Sequence, residues 1–108
     1  MAWGDDLKAA FPDWRKESGL RRWPEVLREL SVGQAITGKV VARAPFGVWL
    51  DIGVSFPALL LVPNMKDAKS RRISFDEYPV LGGQVSGRIV SLGKTGEIGL
   101  AQNEEHPV

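Results

Sequence analysis

The sequence has no cysteine, so disulfides and thiolate metal sites are excluded. It has one histidine, His106, almost at its end. A histidine-based metal cluster or a catalytic triad therefore cannot be assembled from within the chain. No long hydrophobic run is present: the longest apolar stretch, Phe56 to Pro63, is far too short to span a bilayer. The first residues, Met-Ala-Trp-Gly-Asp-Asp, are acidic and carry no signal-peptide core, so a soluble cytoplasmic protein is expected. Strong charge of one sign is missing too, because the net charge is +1. No internal repeat is visible, and no Asp-x-Asp spacing or Gly-rich phosphate loop occurs. Asp51, Asp67, Asp76, Glu77 and Glu97 do not form an acid pair in the sequence. Asp76-Glu77 reads as a solvated pair or a cap, and Gly82-Gly83 as a turn. The expectation is a non-enzyme without cofactor or metal.

What is present fits one domain with one modest core: 108 residues, of which 44% are hydrophobic. Residues 1–31 hold six basic and six acidic side chains, whereas residues 32–101 hold eight basic and five acidic. The excess gathers between Asn64 and Phe75, where Lys66, Lys69, Arg71 and Arg72 face only Asp67. That is a mild basic patch, weaker than the footprint of a dedicated duplex binder.

Residues 1–31 read as a helical N-terminal extension. Asp5 or Asp6 suits the cap of a short helix running to Phe11, which Pro12 stops. Ser18-Gly19 marks a break. Pro24 then suits the first turn of a clearer helix, with Trp23, Val26, Leu27 and Leu30 on its apolar face. Three of the four tryptophans (Trp3, Trp14, Trp23) lie in this segment, and rings of that size are expected to pack onto the rest of the domain or onto a partner.

From Val32 the spacing becomes that of strands. Five are expected: Gln34–Arg43 with Gly38 inside it, Phe46–Ile52, Ala58–Val62 fenced by Pro57 and Pro63, Gln84–Leu92, and Glu97–Ala101. A polar tail covers 102–108. In the second strand Val48, Leu50 and Ile52 should point inward, while Trp49 and Asp51 take the other face. Phe46 has inward parity unless a bulge or kink at Gly47 swings it out beside Trp49. The pair is then either a platform on which bases stack or ordinary core and edge cover. Five short strands, a glycine inside the first and a long connection from Asn64 to Pro79 predict a mainly β, five-stranded Greek-key OB-fold barrel over residues 32–101.

These pieces resemble the S1 RNA-binding domain family over roughly 70 residues, from Val32 to about Ala101. The resemblance is carried, in order, by Val32-Gly33-Gln34 with Gly38-Lys39-Val40 and by Phe46-Gly47-Val48-Trp49-Leu50-Asp51-Ile52-Gly53. It continues through Ala58 to Pro63, Leu81-Gly82 with Val85, Ile89 and Leu92, and Ile98-Gly99-Leu100-Ala101. The chain looks like a single free-standing S1-like domain with a helical extension. In that family the RNA face is built from two aromatics, a histidine, an aspartate and a basic residue. Phe46 and Trp49 match the aromatics; the other three positions hold Leu61, Gly93 and Glu97.

Two uses of this surface follow, and a third reading in which the N-terminal segment covers it. In the first, Phe46 and Trp49 stack the bases of single-stranded RNA, and Lys39, Arg43, Arg88, Lys66, Lys69, Arg71 and Arg72 attract phosphates with little sequence preference. In the second, Phe46, Trp49 and Leu61 form an apolar patch for a protein partner, such as a ribosome-associated or RNA-processing assembly. No membrane contact is expected, and the chain is expected to be a monomer.

Overall fold

The structure, a computed structural model, describes residues 3–103. Three short helices come first: α1 (Trp3–Ala10), α2 (Glu17–Leu20) and α3 (Trp23–Glu29). Five strands follow: β1 (Ala35–Ala44), β2 (Gly47–Asp51), β3 (Ala58–Leu61), β4 (Gln84–Leu92) and β5 (Ile98–Ala101). They close into a barrel in the order β1-β2-β3-β5-β4, with β4 returning to β1. All pairings are antiparallel except β3 with β5. The expected five-stranded OB barrel is present. The tail residues 104–108, with His106, lie outside the described residues.

Closure is written into β1. Around Gly38–Lys39 the strand pairs with β2 and with β4 at once: Lys39 lies opposite both Asp51 and Gln84. A bulge follows at Val41. Bulges bend and twist a strand, and closing only five strands needs such bends. The inward rows are those that alternation predicts: Val48 and Leu50 of β2, Leu60 of β3, Ile89 of β4, Ile98 and Leu100 of β5 are all buried. Ile52 is only half-buried, because β2 ends at Asp51.

Phe46 is on the outside without the bulge or kink at Gly47 that inward parity would have required. It lies with Pro45 in the turn before β2, so strand parity does not apply to it, and it is 41% exposed. The irregularity in this pair of strands sits on β1 instead. Gly47 is needed for a different reason: a side chain there would run into the Leu60 carbonyl and the Leu61 backbone.

The helices belong to the same core. Leu7, Phe11, Trp14, Trp23, Val26 and Leu30 join the barrel residues in one hydrophobic cluster. Trp23, 3% exposed, sets its ring edge-on to Phe56 at 5.0 Å, and its indole N–H donates to the Gly93 carbonyl at 2.9 Å. Two expectations change here. Leu27 is exposed, because the short α3 buries only Trp23 and Val26, with Leu30 just beyond it. Ser18-Gly19 is one helical turn and not a break: the Lys16 and Glu17 carbonyls accept the Leu20 and Arg21 N–H groups. No described helix is long and apolar enough to cross a membrane.

Candidate nucleic-acid interface

Strand register lines up one transverse row on the outside of the barrel. Ala42 of β1 lies opposite Trp49 of β2, Trp49 opposite Leu59 of β3, Leu59 opposite Gly99 of β5, and Gly99 opposite Ser91 of β4. Cross-strand partners share a face, so these five positions form a strip across the sheet. The strip grades from covered to open. Ala42 is fully buried where α1 packs on β1, Trp49 is 9% exposed, Leu59 and Gly99 are half-buried, and Ser91 is exposed.

A trough of about 360 Å³ lies along this strip. Its floor is Trp49, Leu59 and Gly99, with the Ser91 hydroxyl lying where a side chain on Gly99 would stand. Trp14 and Arg15 wall it on the helical side; Leu61, Asn64, Ser91 and Glu97 complete the rim. The guanidinium of Arg15 lies over the Trp14 ring, 4.3 Å from its centroid. Trp14 itself sits against Trp49, with centroids 5.7 Å apart. The Trp49 indole N–H is buried and meets no acceptor among the described residues.

Glu97 is held at the trough's edge. The Thr95 N–H donates to one carboxylate oxygen at 3.1 Å and the Thr95 hydroxyl to the other. The hydroxyl bond is the main cause, and nearby Arg15 a smaller one, of a Glu97 pKa below the ordinary carboxylate value. A Cβ on Gly93 would collide with the Glu97 carboxylate, while the Gly93 N–H donates to the Glu97 carbonyl at 2.8 Å. The space where position 93 would place a side chain is thus taken by an acid reaching back from position 97.

The residues expected from sequence to meet RNA are not all equally placed. Phe46 is open on one side and meets the edge of Trp3 on another, 5.3 Å between centroids at 87°. Trp49 faces outward but lies under Trp14. Arg43 is turned to the long connection: it donates to the Phe75 carbonyl at 2.6 Å and stacks on that ring at 4.4 Å. Arg71 pairs with Glu77 at 2.6 Å, and Arg88 donates to the Asn103 carbonyl at 2.6 Å. Lys39, Lys66, Lys69 and Arg72 are exposed. Lys69, Arg71 and Arg72 border a second concavity with Val62, Pro63 and Ile73, just beyond the end of β3. Sequence reasoning did not single out Trp14, Arg15, Asn64, Ser91 or Gly99. Outward parity does put Gly99 on the outer face and would have given Ser91 too; only the tryptophan richness of the extension hinted at Trp14.

No family model matches the sequence. Solved structures do match. An uncharacterised protein, MJ1198 from Methanocaldococcus jannaschii, is similar at 13% identity over 71% of this chain and 97% of its own, with a TM-score of 0.56. GSP13 from Bacillus subtilis is similar at 17% identity over 73% of this chain and 65% of its own, TM-score 0.54. A chain of the a/eIF2alpha–aDim2p–rRNA complex from Pyrococcus horikoshii is similar at 16% identity over 66% of this chain and 43% of its own, TM-score 0.58. With the closed five-strand barrel, these likenesses define the architecture as an S1-like OB fold.

Proposed function

We propose that this chain is a nucleic-acid-binding module, and that its ligand is single-stranded RNA. The observation that carries the reading is the trough across β2, β3, β5 and β4. It has an apolar, partly aromatic floor, a fixed arginine on one wall, and the size of a small-ligand site. A base entering it would lie against Leu59, Gly99 and the accessible edges of Trp14 and Trp49. The strand would run past Leu61 to Phe46, which neighbour each other because Leu61 lies opposite Gly47. Lys66, Lys69 and Arg72 supply phosphate attraction beyond β3, and Lys39 does so from β1. Arg43, Arg71 and Arg88 contribute mainly through the barrel and loop contacts they already make. That a protein of similar fold occurs in a complex described with rRNA is in keeping with this reading. The module acts by binding and has no catalytic step.

The test is a titration with a mixed-sequence single-stranded oligoribonucleotide, followed through tryptophan fluorescence at two salt concentrations. Trp14 and Trp49 line the trough, so an occupied site should change their emission, and affinity should fall as salt rises. No response at low salt would remove RNA as the ligand. A protein partner is the second reading. It is favoured by the exposure of Phe46, Leu61 and Phe75, which the Tyr78–Pro45 hydrogen bond and the Phe75–Tyr78 contact bring toward one end of the barrel.

A further inference from the structure

Resting on the RNA reading, we infer that Trp14 and Trp49 form an aromatic clamp that closes on one purine base. Trp49 lies in the middle of β2, whereas Trp14 comes from the turn between α1 and α2. Their rings pack together with centroids 5.7 Å apart and planes inclined at 59°. A base held between two rings needs them near parallel and about 7–8 Å apart, which is two carbon–carbon contact distances. The clamp therefore opens by a shift of roughly 1–2 Å and a turn of one ring.

Trp14 is the jaw that is free to move. Among the described residues, every hydrogen bond and ion pair of residues 3–20 stays within residues 3–22, and the first bond from the extension to the barrel is that of Trp23 to Gly93. Trp14 is thus held on Trp49 by packing alone, which is not directional. Its turn is braced from inside: the Lys16 N–H donates to the Asp13 carbonyl at 2.9 Å, and the Asp13 backbone lies where a side chain on Gly19 would stand. The turn can shift as one piece while Trp23 stays anchored. Trp49, for its part, keeps a buried indole N–H without an acceptor, and an orphaned donor costs stability. A nucleotide beside that ring brings acceptors, among them the 2′-hydroxyl. The trough next to the two rings, about 360 Å³, is at the lower end for small-ligand sites and suits a single base with its sugar. Leu59 and Gly99 on its floor carry no side-chain donor or acceptor, so stacking area, and not edge reading, decides which base is held. Two fused rings fill the clamp better than one. Arg15, held over Trp14, moves with that jaw and brings positive charge to the strand's phosphates.

The experiment titrates pentaadenylate and pentauridylate, which carry the same phosphates, into the full chain, Trp14→Leu and Trp14→Phe, read by tryptophan fluorescence. Leucine keeps apolar bulk at position 14 without a ring; phenylalanine keeps a ring. The wild type is expected to bind pentaadenylate several-fold more tightly. Trp14→Leu should lose roughly tenfold in pentaadenylate affinity, the worth of one stacked base, and with it most of the adenine advantage. Trp14→Phe should retain much of both. Equal affinity for the two strands in the wild type overturns the clamp, and that comparison needs no variant to fold. An adenine advantage that survives in Trp14→Leu, or is lost equally in Trp14→Phe, overturns stacking on Trp14 as its source. Amide hydrogen exchange of residues 13–16 in the wild type should slow when pentaadenylate is bound. Unchanged exchange overturns the clamp, and so does faster exchange, which would make the turn a cover that RNA displaces. No binding of either strand overturns the RNA reading itself, an outcome distinct from binding without preference.

Discussion

Replacement of Trp23 tests whether the helical segment is part of the barrel's core or an appendage laid on it. The side chain is 3% exposed, packs edge-on against the fully buried Phe56, and donates its indole N–H to the Gly93 carbonyl at 2.9 Å. Trp23→Phe keeps a ring but leaves that carbonyl without its donor. The cost of an orphaned, partly buried acceptor is about 1–3 kcal/mol. Trp23→Ala also removes the ring and should cost about 3–5 kcal/mol. A domain of this size has a total stability on the order of 5–15 kcal/mol. The alanine variant therefore loses a large share of it. A loss of about 2 kcal/mol lowers the melting temperature of a chain near 100 residues by roughly 8–16 °C.

The assay is urea unfolding followed by far-UV circular dichroism, with thermal melts alongside. The wild type should unfold in one cooperative transition. Trp23→Phe should move the midpoint down at unchanged slope, and Trp23→Ala should move it further. Unchanged midpoints, or a wild-type profile in which a helical signal melts well before the barrel, would show that residues 3–30 are not built into the core.

Two further outcomes follow from the surface charges. Removing two exposed loop cations together, Lys69→Ala with Arg72→Ala, should weaken RNA binding for all sequences and lower the salt slope by about 1.4, since each phosphate contact on a single strand contributes about 0.7; an unaltered slope would take the strand off this loop. The Glu77 carboxylate has its pKa lowered from 4.5 to about 2, first by the Ser74 N–H and next by Arg71. A lowered folded-state value means that the carboxylate's stabilisation is present above about 4.5 and lost as pH falls toward 2. Nuclear magnetic resonance of the Ser74 amide should then show a titration midpoint near 2; a midpoint near 4.5 would mean that the cap at Ser74 is not formed in solution.

Barrel and site were legible to different depths, for physical reasons. Alternation is a local signal, so Val48 and Leu50, or Ile98 and Leu100, announce an inward row without knowledge of any partner strand. The same alternation correctly sent Trp49 outward. It could not say that Trp14, thirty-five positions earlier, covers that ring, because nothing periodic in Pro12 to Lys16 points to β2. Counting cations had a similar limit. Composition gives a patch from Lys66 to Arg72, but only the fold shows Arg71 committed to Glu77 and Arg43 to Phe75. Phe46 was misread as a strand residue because a turn and a bulge look alike beside a glycine.

The positions where the chain departs from S1 residue types are connected to one another. Gly93 and Glu97 are four residues apart across a tight turn, and each is sterically conditional on the other: the acid can lie back over the turn only because position 93 has no side chain. The charge at 97 that looks reversed on a linear comparison therefore returns an acid to the space next to 93. On the opposite wall the arginine comes from outside the barrel altogether, from Arg15 between α1 and α2. Trp14 beside it joins that wall to the strip that begins at Trp49. It follows that the extension and the altered turn should be treated as one unit. Grafting aspartate onto position 93 without shortening Glu97 should clash with that carboxylate, and deleting the helical segment should remove an arginine wall as well as a cover.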